Sequence, residues 1–583
     1  MTGDGWLTLI FFAILLAIST PLLGNYMAKV YGNEAAPGDR FFLPIERFIY
    51  RLCRIDPDSE QRWSTYVISL LAFTLFGILL TYVILRIQAS LPGNPDKLAN
   101  VSPALAFDTA MSFGTNTNWQ NYTGEATMSQ FSQMFGLVWH QFISAAVGMA
   151  LAAAFIRALV RRRRNTLGNF WADTVRSTTR ILIPITFVFA VFFMSQGVID
   201  NLHSSKAVTT LAAQVTHSKA ATLEQAVPGG PVASMVPIEM LGDNGGGYFG
   251  ANAGQPFENP TGLINILLLW LTAMIPFAFA WTFGKMVGSM RQGKMVLAVM
   301  SVMFLVSVLI VVPLEQRGNP NFRPSGVTQK ATANNPGGNL EGKDLRLGAV
   351  GSALNAADVT ATSTGGTNSA LTSYTPLAGT IPLFNIMLGE VIPGGTGTGL
   401  FGMLIFVMIT VFIAGLMVGR TPSYLGKQIL APDMKLVAIY ILVLPTTVLI
   451  LAGVAILLPV AIKQVGGAPG PHGLTEVVYA YTSAAHNNGS AYAGLLGNIH
   501  WYNITLAIAM FFGRFFEIIP ALALAGSLVR KRTYAATIGT VRTDTPMFTF
   551  MVMAVVFVLV GLTYFPALAL GPLVEHLSGH YGI

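Results

Sequence analysis

Residues 114–122 read GTNTNWQNY, 242–250 read GDNGGGYFG, 362–369 read TSTGGTNS and 485–492 read AHNNGSAY. Centred on Thr117, Asn244, Thr364 and Asn488, these polar, glycine-rich segments recur about 120 residues apart. Four similar loops in one chain can do what four identical subunits do in a tetrameric channel: ring one pore with backbone carbonyls that replace the hydration shell of an ion. Glycine permits the left-handed dihedrals that turn successive carbonyls one way. The second segment supplies Gly242, Gly245, Gly246 and Gly247, the third Gly365 and Gly366, and the fourth Gly489. The first has Asn116–Thr117–Asn118 where glycine is expected. One such segment alone is an ordinary turn, but four in register imply a cation filter of the potassium type.

The rest of the chain suits that role. Of its 583 residues 53% are hydrophobic and 10% charged, against the roughly 25% charged residues of a soluble domain. Ten apolar stretches are long enough to cross a bilayer: 6–23, 66–85, 135–156, 181–198, 263–283, 295–314, 381–418, 436–462, 499–528 and 548–570. The fold class expected is an all-α polytopic membrane protein. The first stretch lacks a basic flank and a small-residue cleavage site, so it reads as a retained helix. Cys53 is the single cysteine, which excludes an internal disulfide and a cysteine-rich metal site. The net charge of +8 does not imply nucleic acid, because the basic residues gather in alternate loops, such as Arg40–Arg54, Arg161–Arg164, Lys285–Lys294 and Arg530–Arg532. That is positive-inside patterning, with both termini outside the cytoplasm. Arg161–Arg164 reads as a topology anchor, with contact to anionic membrane lipid as the alternative. The long segment 315–380 carries basic residues on the outer side, and loops of that length escape the charge rule.

With one helix set aside at each end, eight spans pair around the four polar segments. The expected organisation is an N-terminal helix and linker in 1–55, repeats in 56–164, 165–288, 289–428 and 429–532, and a C-terminal helix in 533–583. The third repeat holds the long extracytoplasmic loop. All four filter segments fall on the face opposite the basic loops, so the repeats are parallel rather than inverted. A stretch too short to span precedes each filter, at 102–112, 237–241, 349–360 and 474–482, and suits a pore helix whose negative end favours a cation.

Charge inside a membrane is costly and marks a pore or a partner. Glu390 lies in LGEVIPGGTGTGL (388–400), where Pro393, Gly394, Gly395, Gly397 and Gly399 break the helix. One reading is a gate or side exit below the filter; the other is a glycine-rich packing interface with Glu390 neutral or paired. Arg514 and Glu517, three residues apart, can pair on one helix face. His140 reads as a packing residue, and His486 at the edge of the fourth segment is no metal site by itself. The chain has no GxxxxGK[ST] phosphate loop, no HExxH helix and no segment with a phosphorylatable aspartate. It therefore has no catalytic activity of its own, and ATP hydrolysis must come from another chain.

TNTNWQNYTGE (115–125), NGGGYFGANAGQPFENPT (244–261), GEVIPGGTGTGLFGM (389–403), GLMVGRTPSYLGK (415–427) and SAAHNNGSAYAGL (483–495) closely resemble the potassium-binding subunit of the bacterial Kdp-type potassium-transporting ATPase. The likeness runs from the first helix to the last. It implies the superfamily-of-potassium-transporters fold, in an inner-membrane complex with a P-type ATPase subunit and two small accessory subunits. In that complex this subunit selects the potassium ion and binds no nucleotide, and a tunnel carries ions from beneath the filter into the ATPase subunit. Carried over by position, the resemblance implies a potassium filter of Asn116, Thr117 and Asn118; Asp243, Asn244 and Gly245; Ser363, Thr364 and Gly365; and Asn487, Asn488 and Gly489. It places Gln120 just after the first filter segment, and Arg420 with the gate in the third repeat beside Glu390, Gly394 and Gly395. Asp243, His486 and Thr364 depart from the residues expected at their positions. A carboxylate at Asp243 is expected to alter affinity or selectivity. A stand-alone, gradient-driven potassium transporter or channel of the same fold is the alternative.

Overall fold

The computed structural model describes residues 3–216, 219–322, 324–466, 470–535, 540–579 and 581. Among the described residues ten helices are long and apolar enough to cross a membrane, one on each of the stretches expected from the sequence. They alternate between outer and inner positions. Trp63–Ser90, Phe170–Ser195, Met290–Phe322 and Ala431–Ala455 have 28–56% of their apolar window buried, whereas Ser132–Val160, Gly262–Met286, Thr398–Met417 and His500–Arg530 have 61–89%. The second group forms the centre of the molecule. The terminal helices Gly3–Gly32 and Pro546–Ser578 lie outside, each at 28%.

Small residues let the inner helices approach closely, since packing rather than hydrophobic burial drives association in lipid. Ser132–Val160 buries Ala145, Ala146, Ala150, Ala152, Ala153, Ala154 and Ala158 along its length. Gly148 of that helix meets the stretch before Thr398–Met417 so tightly that a Cβ would fall 2.5 Å from the carbonyl oxygen of Thr396.

Among the shorter helices between the spans are Pro103–Gly114, Val232–Leu241, Gly348–Ala361 and Pro471–Ala485. Each extends beyond the stretch read from the sequence at one end or both, and each stops directly before a polar segment. The apolar stretch 381–418 is not one helix. It divides into Pro376–Met387 and Thr398–Met417, and the irregular backbone of 388–397 lies between them.

Among the described residues three two-stranded antiparallel pairings depart from an all-α reading, and one of them is long. Lys206–Thr216 and Lys219–Val227 pair as an antiparallel hairpin, with Lys206 opposite Val227 and Thr209 opposite Glu224. Its β-branched residues Val208, Thr209 and Thr210 carry the signal, which a search for apolar spans passes over.

Two buried lysines fix the connections. At one end of the helices, Lys343 pairs with Glu315 at 2.8 Å, both side chains fully buried, and lies 4.1 Å from the centre of the Tyr374 ring. Glu315 also accepts from Asn339 Nδ2 and Thr375 N, each at 2.9 Å, so one carboxylate gathers the long loop. On the opposite face, Lys427 Nζ donates to the carbonyls of Ala158 at 2.7 Å and Leu528 at 2.8 Å, and to that of Arg161. These belong to the last turns of two inner helices, or just beyond, whose final carbonyls have no partner within the helix. Replacing Lys427 with Met removes this donor from the Ala158 and Arg161 carbonyls, while that of Leu528 keeps the N–H of Lys531 at 3.1 Å. We expect a loss of about 2–3 kcal/mol, read as a lower thermal midpoint of the purified protein. An unchanged midpoint contradicts the capping role.

Candidate functional site

The four short helices end in the same way. The N–H groups of Thr117, Asn244, Thr364 and Asn488 donate to the carbonyls of Ser112, Glu239, Val359 and Ser483 at 2.9, 2.9, 3.0 and 2.9 Å. The residues just before them, Asn116, Asp243, Ser363 and Asn487, have φ of 66°, 48°, 66° and 59°. A bond reaching back five residues over one left-handed residue is a Schellman cap. Asn and Asp tolerate that conformation because a short polar side chain can bond locally. At the next-but-one position Asn118, Gly245 and Gly489 are again left-handed, at 53°, 83° and 96°, while Gly365 is not. Asn118 thus adopts the geometry for which the sequence reading wanted glycine.

The four turns meet in a closed ring. Asn116 Nδ2 donates to the carbonyl of Asp243 at 2.8 Å, joining the first to the second. Thr364 Oγ1 donates to Asp243 Oδ1 at 3.1 Å, joining the third to the second. Ser363 Oγ donates to the carbonyl of Asn487 at 3.1 Å, joining the third to the fourth. Asn487 Nδ2 donates to Thr117 Oγ1 at 2.9 Å and closes the circle. Glycine is required at two of the joints. A Cβ on Gly245 would fall 2.0 Å from Gly365 N, and one on Gly489 2.0 Å from the carbonyl oxygen of Thr117.

The side chains give the ring a lower symmetry than its backbone. Thr117 and Thr364 pair their hydroxyls with Thr115 and Thr362, at 2.8 and 3.2 Å. Between them stand the amides Asn244 and Asn488, whose Nδ2 atoms donate to Gln141 O and Val359 O at 3.1 and 3.0 Å. All twelve residues expected in the filter therefore lie in the four turns, and the ring alternates hydroxyl and amide.

A vestibule of about 670 Å³ opens onto the ring and is lined by residues of all four segments, among them Asn118, Gly250, Gly365 and Gly489. None of its lining residues is charged. Gln120 stands in its wall and donates to the carbonyl of Gly247 at 2.9 Å, bridging the first and second segments.

On the other side of the ring lies the irregular backbone 388–397. Glu390 Oε1 accepts from Asn488 Nδ2 at 2.8 Å. Gly394 N donates to the carbonyl of Ala361 at 2.8 Å, and Thr396 Oγ1 to that of Gly242 at 3.2 Å. A Cβ on Gly395 would fall 2.9 Å from Ser363 Cβ. This stretch therefore touches the second, third and fourth turns at once, and it brings a second buried carboxylate close to that of Asp243.

Other residues singled out from the sequence take different places. Arg420 is exposed beyond the far end of Thr398–Met417, about 30 Å along the helix axis from the ring. The ion pair open to Arg514 and Glu517 does not form within 4.0 Å, because the guanidinium turns instead to the carbonyl of Ser144 at 3.3 Å. Ser144 was not read from the sequence, yet its hydroxyl lies 2.5 Å from Asn116 Oδ1 and 3.3 Å from Asn244 Oδ1. His140 packs its ring against Gly77 and Gly114. His486 caps the fourth short helix, with Nε2 3.4 Å from the Tyr564 hydroxyl.

The profile of the potassium-transporting ATPase A subunit family matches residues 9–577. The chain belongs to that family. The potassium-transporting ATPase potassium-binding subunit of Mycobacterium tuberculosis is 51% identical over 579 residues, covering 99% of this chain and 100% of the relative. The protein of the same description from Solibacter usitatus is 48% identical over 583 residues, 100% of this chain and 99% of the relative. The crystal structure of the potassium transporter TrkH from Vibrio parahaemolyticus aligns with a TM-score of 0.47 at 17% identity, over 89% of this chain and 98% of its own.

At its N-terminal end the fourth short helix is held by His472. Nδ1 lies 2.9 Å from Glu575 Oε1 on the C-terminal helix, and Nε2 lies 2.9 Å from Thr372 Oγ1 and 3.7 Å from Glu476 Oε1. Burial opposes the charge on the ring, but the carboxylates of Glu575, Glu476 and Glu341 outweigh it and hold the pKa above the ordinary histidine value. The protonated tie is then complete below about pH 6.5 and is lost as pH rises through the raised value. The thermal midpoint should fall between about pH 6 and pH 9 in the native protein and vary less in His472→Gln. Superimposable pH curves for the two contradict this.

Proposed function

We propose that this chain is the potassium-binding and potassium-selecting subunit of an ATP-driven uptake complex in the bacterial inner membrane. Both termini lie outside the cytoplasm. Potassium enters the uncharged vestibule, sheds water at the ring of four turns, and passes toward the stretch containing Glu390. The four helix–turn–helix units act as parallel pseudo-repeats around one pore. A P-type ATPase subunit hydrolyses ATP, and two small membrane subunits complete the assembly.

The observation that carries this reading is the closed ring itself. Four left-handed turns, joined in sequence by hydrogen bonds, enclose one axis at the ends of four helices. Helix C-termini present negative dipole ends and bare carbonyls, so the axis favours a cation. The carboxyl groups of Asp243 and Glu390 stand beside that axis, bonded to Thr364 and Asn488 of the turns. Non-helical backbone is tolerated at membrane depth only where protein or a water-filled cavity surrounds it, and the four turns and residues 388–397 meet that condition. The family to which the chain belongs, and relatives described as potassium-binding subunits at about half identity over full length, support potassium as the ion.

Purification separates this from a pore that works alone. We expect a P-type ATPase to co-isolate and its ATP hydrolysis to rise with potassium. Potassium uptake by the chain alone, insensitive to ATP depletion, contradicts the proposal. Within the complex, Gly245→Asp or Gly489→Asp should raise the potassium concentration for half-maximal ATP hydrolysis about tenfold or more without loss of assembly, because each side chain displaces a neighbouring turn. Gly453→Ala, where a Cβ meets nothing within 4 Å, should leave it unchanged. Unaltered potassium dependence in both aspartate variants contradicts the filter assignment. Asp243→Asn should change rubidium and ammonium discrimination, and an identical ion profile assigns the carboxylate no part in selection.

A further inference from the structure

On the face that carries the basic loops, a cavity of about 680 Å³ opens where Gly3–Gly32, Gly262–Met286 and Trp139–Val160 end. It takes no part in the ion path described above. Four cationic side chains line it, and two are already engaged. Arg157 donates to both oxygens of Asp173 at 2.6 and 2.7 Å, and Arg161 pairs with Glu60 at 2.6 Å. Lys29 and Lys285, in the last turns of their helices, have no carboxylate within 4.0 Å among the described residues. Glu34 is the one acid on the wall, and it too makes no ion pair within that distance.

Two amides complete the donor set. Trp281 Nε1 donates to Asn25 Oδ1 at 3.1 Å, and Arg176 donates to Asn33 Oδ1 at 2.5 Å. Indole and guanidinium nitrogens donate only, so the bonded amide atom must be oxygen, and each Nδ2 is left as a donor on the cavity wall. Two free ammonium groups and two amide donors favour an anion with several acceptor oxygens.

Beside the cavity the first helix also exposes apolar side chains. Ile18 and Leu22, 56% and 66% exposed, precede Asn25 and Lys29 at spacings of four, three and four residues, which places all four on one helix face. An apolar stripe thus leads from the hydrocarbon region straight to the donors, as a phospholipid requires and a soluble anion does not.

We propose that this cavity binds the phosphate headgroup of an anionic glycerophospholipid, with Lys29, Lys285, Asn25 and Asn33 around the phosphate and the acyl chains along Ile18 and Leu22. Basic pockets between transmembrane helices on the basic face recognise such headgroups elsewhere. The competing role for the two lysines is to neutralise helix ends and set topology, and this needs no bound lipid.

The test is native mass spectrometry of the complex isolated with this chain, titrated with phosphatidylglycerol. A retained lipid is expected in the native complex, with binding about tenfold or more weaker in Lys29→Gln/Lys285→Gln. Lys29→Arg/Lys285→Arg should keep it, as should Arg164→Gln, which removes a cation of the same face that does not line the cavity. Equal retention in the double glutamine variant, or equal loss in Arg164→Gln, overturns the site. Release of the lipid by excess inorganic phosphate assigns the cavity to a soluble anion and overturns the lipid half of the proposal. Matching thermal midpoints across the variants exclude misfolding as the cause.

Discussion

One backbone hydrogen bond, made four times, sets the rest of the structure. The N–H of Thr117, Asn244, Thr364 or Asn488 reaches the carbonyl five residues earlier only because the residue before it is left-handed. That bond stops each short helix at a fixed place and turns the chain across the molecular axis. Once four such turns share an axis, their side chains have few places to go. Asn116, Ser363, Thr364 and Asn487 bond sideways to the neighbouring turn, while Gly245 and Gly489 stay bare because the next backbone is already in contact. The ring is thus defined by mutual exclusion as much as by attraction.

Everything outside the ring keeps it from shifting. The inner helices are held at one end by Lys427, which collects carbonyls from Ala158, Arg161 and Leu528. At the other face Glu315 and Lys343 bind the long loop with a fully buried ion pair. Breaking such a pair strands a buried charge and is strongly destabilising. Beneath the ring, residues 388–397 lie against three of the four turns through Glu390, Gly394, Gly395 and Thr396. A movement of that stretch therefore has to disturb the turns, which couples any opening below the ring to the site above it.

The sequence reading reached the helices and the four segments because both signals are local. A long charge-free apolar run has one stable outcome in a bilayer, and a glycine-rich polar segment between two such runs has few. It looked for glycine where the chain places Asn118, although asparagine also tolerates the left-handed region. The order Thr117, Asn244, Thr364, Asn488 stands in the sequence, but the partners that hold each side chain do not, because contact across the ring is a tertiary fact. Lys427, Ser144 and Lys343 were invisible for the same reason: the partners that place them lie in other elements, 28 to 269 residues away. Arg420 was tied to the gate by a motif, and it stands a helix length from the ring. Arg514 and Glu517 have the spacing of a pair, but a nearer carbonyl took the guanidinium. The paired strands Lys206–Thr216 and Lys219–Val227 were missed because a search for spans reads only apolar length.

The central claim is that the four turns bind one line of ions. It is tested most directly by determining the structure of the complex in rubidium, whose anomalous scattering marks its position. The account predicts rubidium on the axis of the ring, bounded by oxygens from all four segments, 116–118, 243–245, 363–365 and 487–489. Rubidium bound elsewhere in the chain, with none at the ring under saturating conditions, would contradict it.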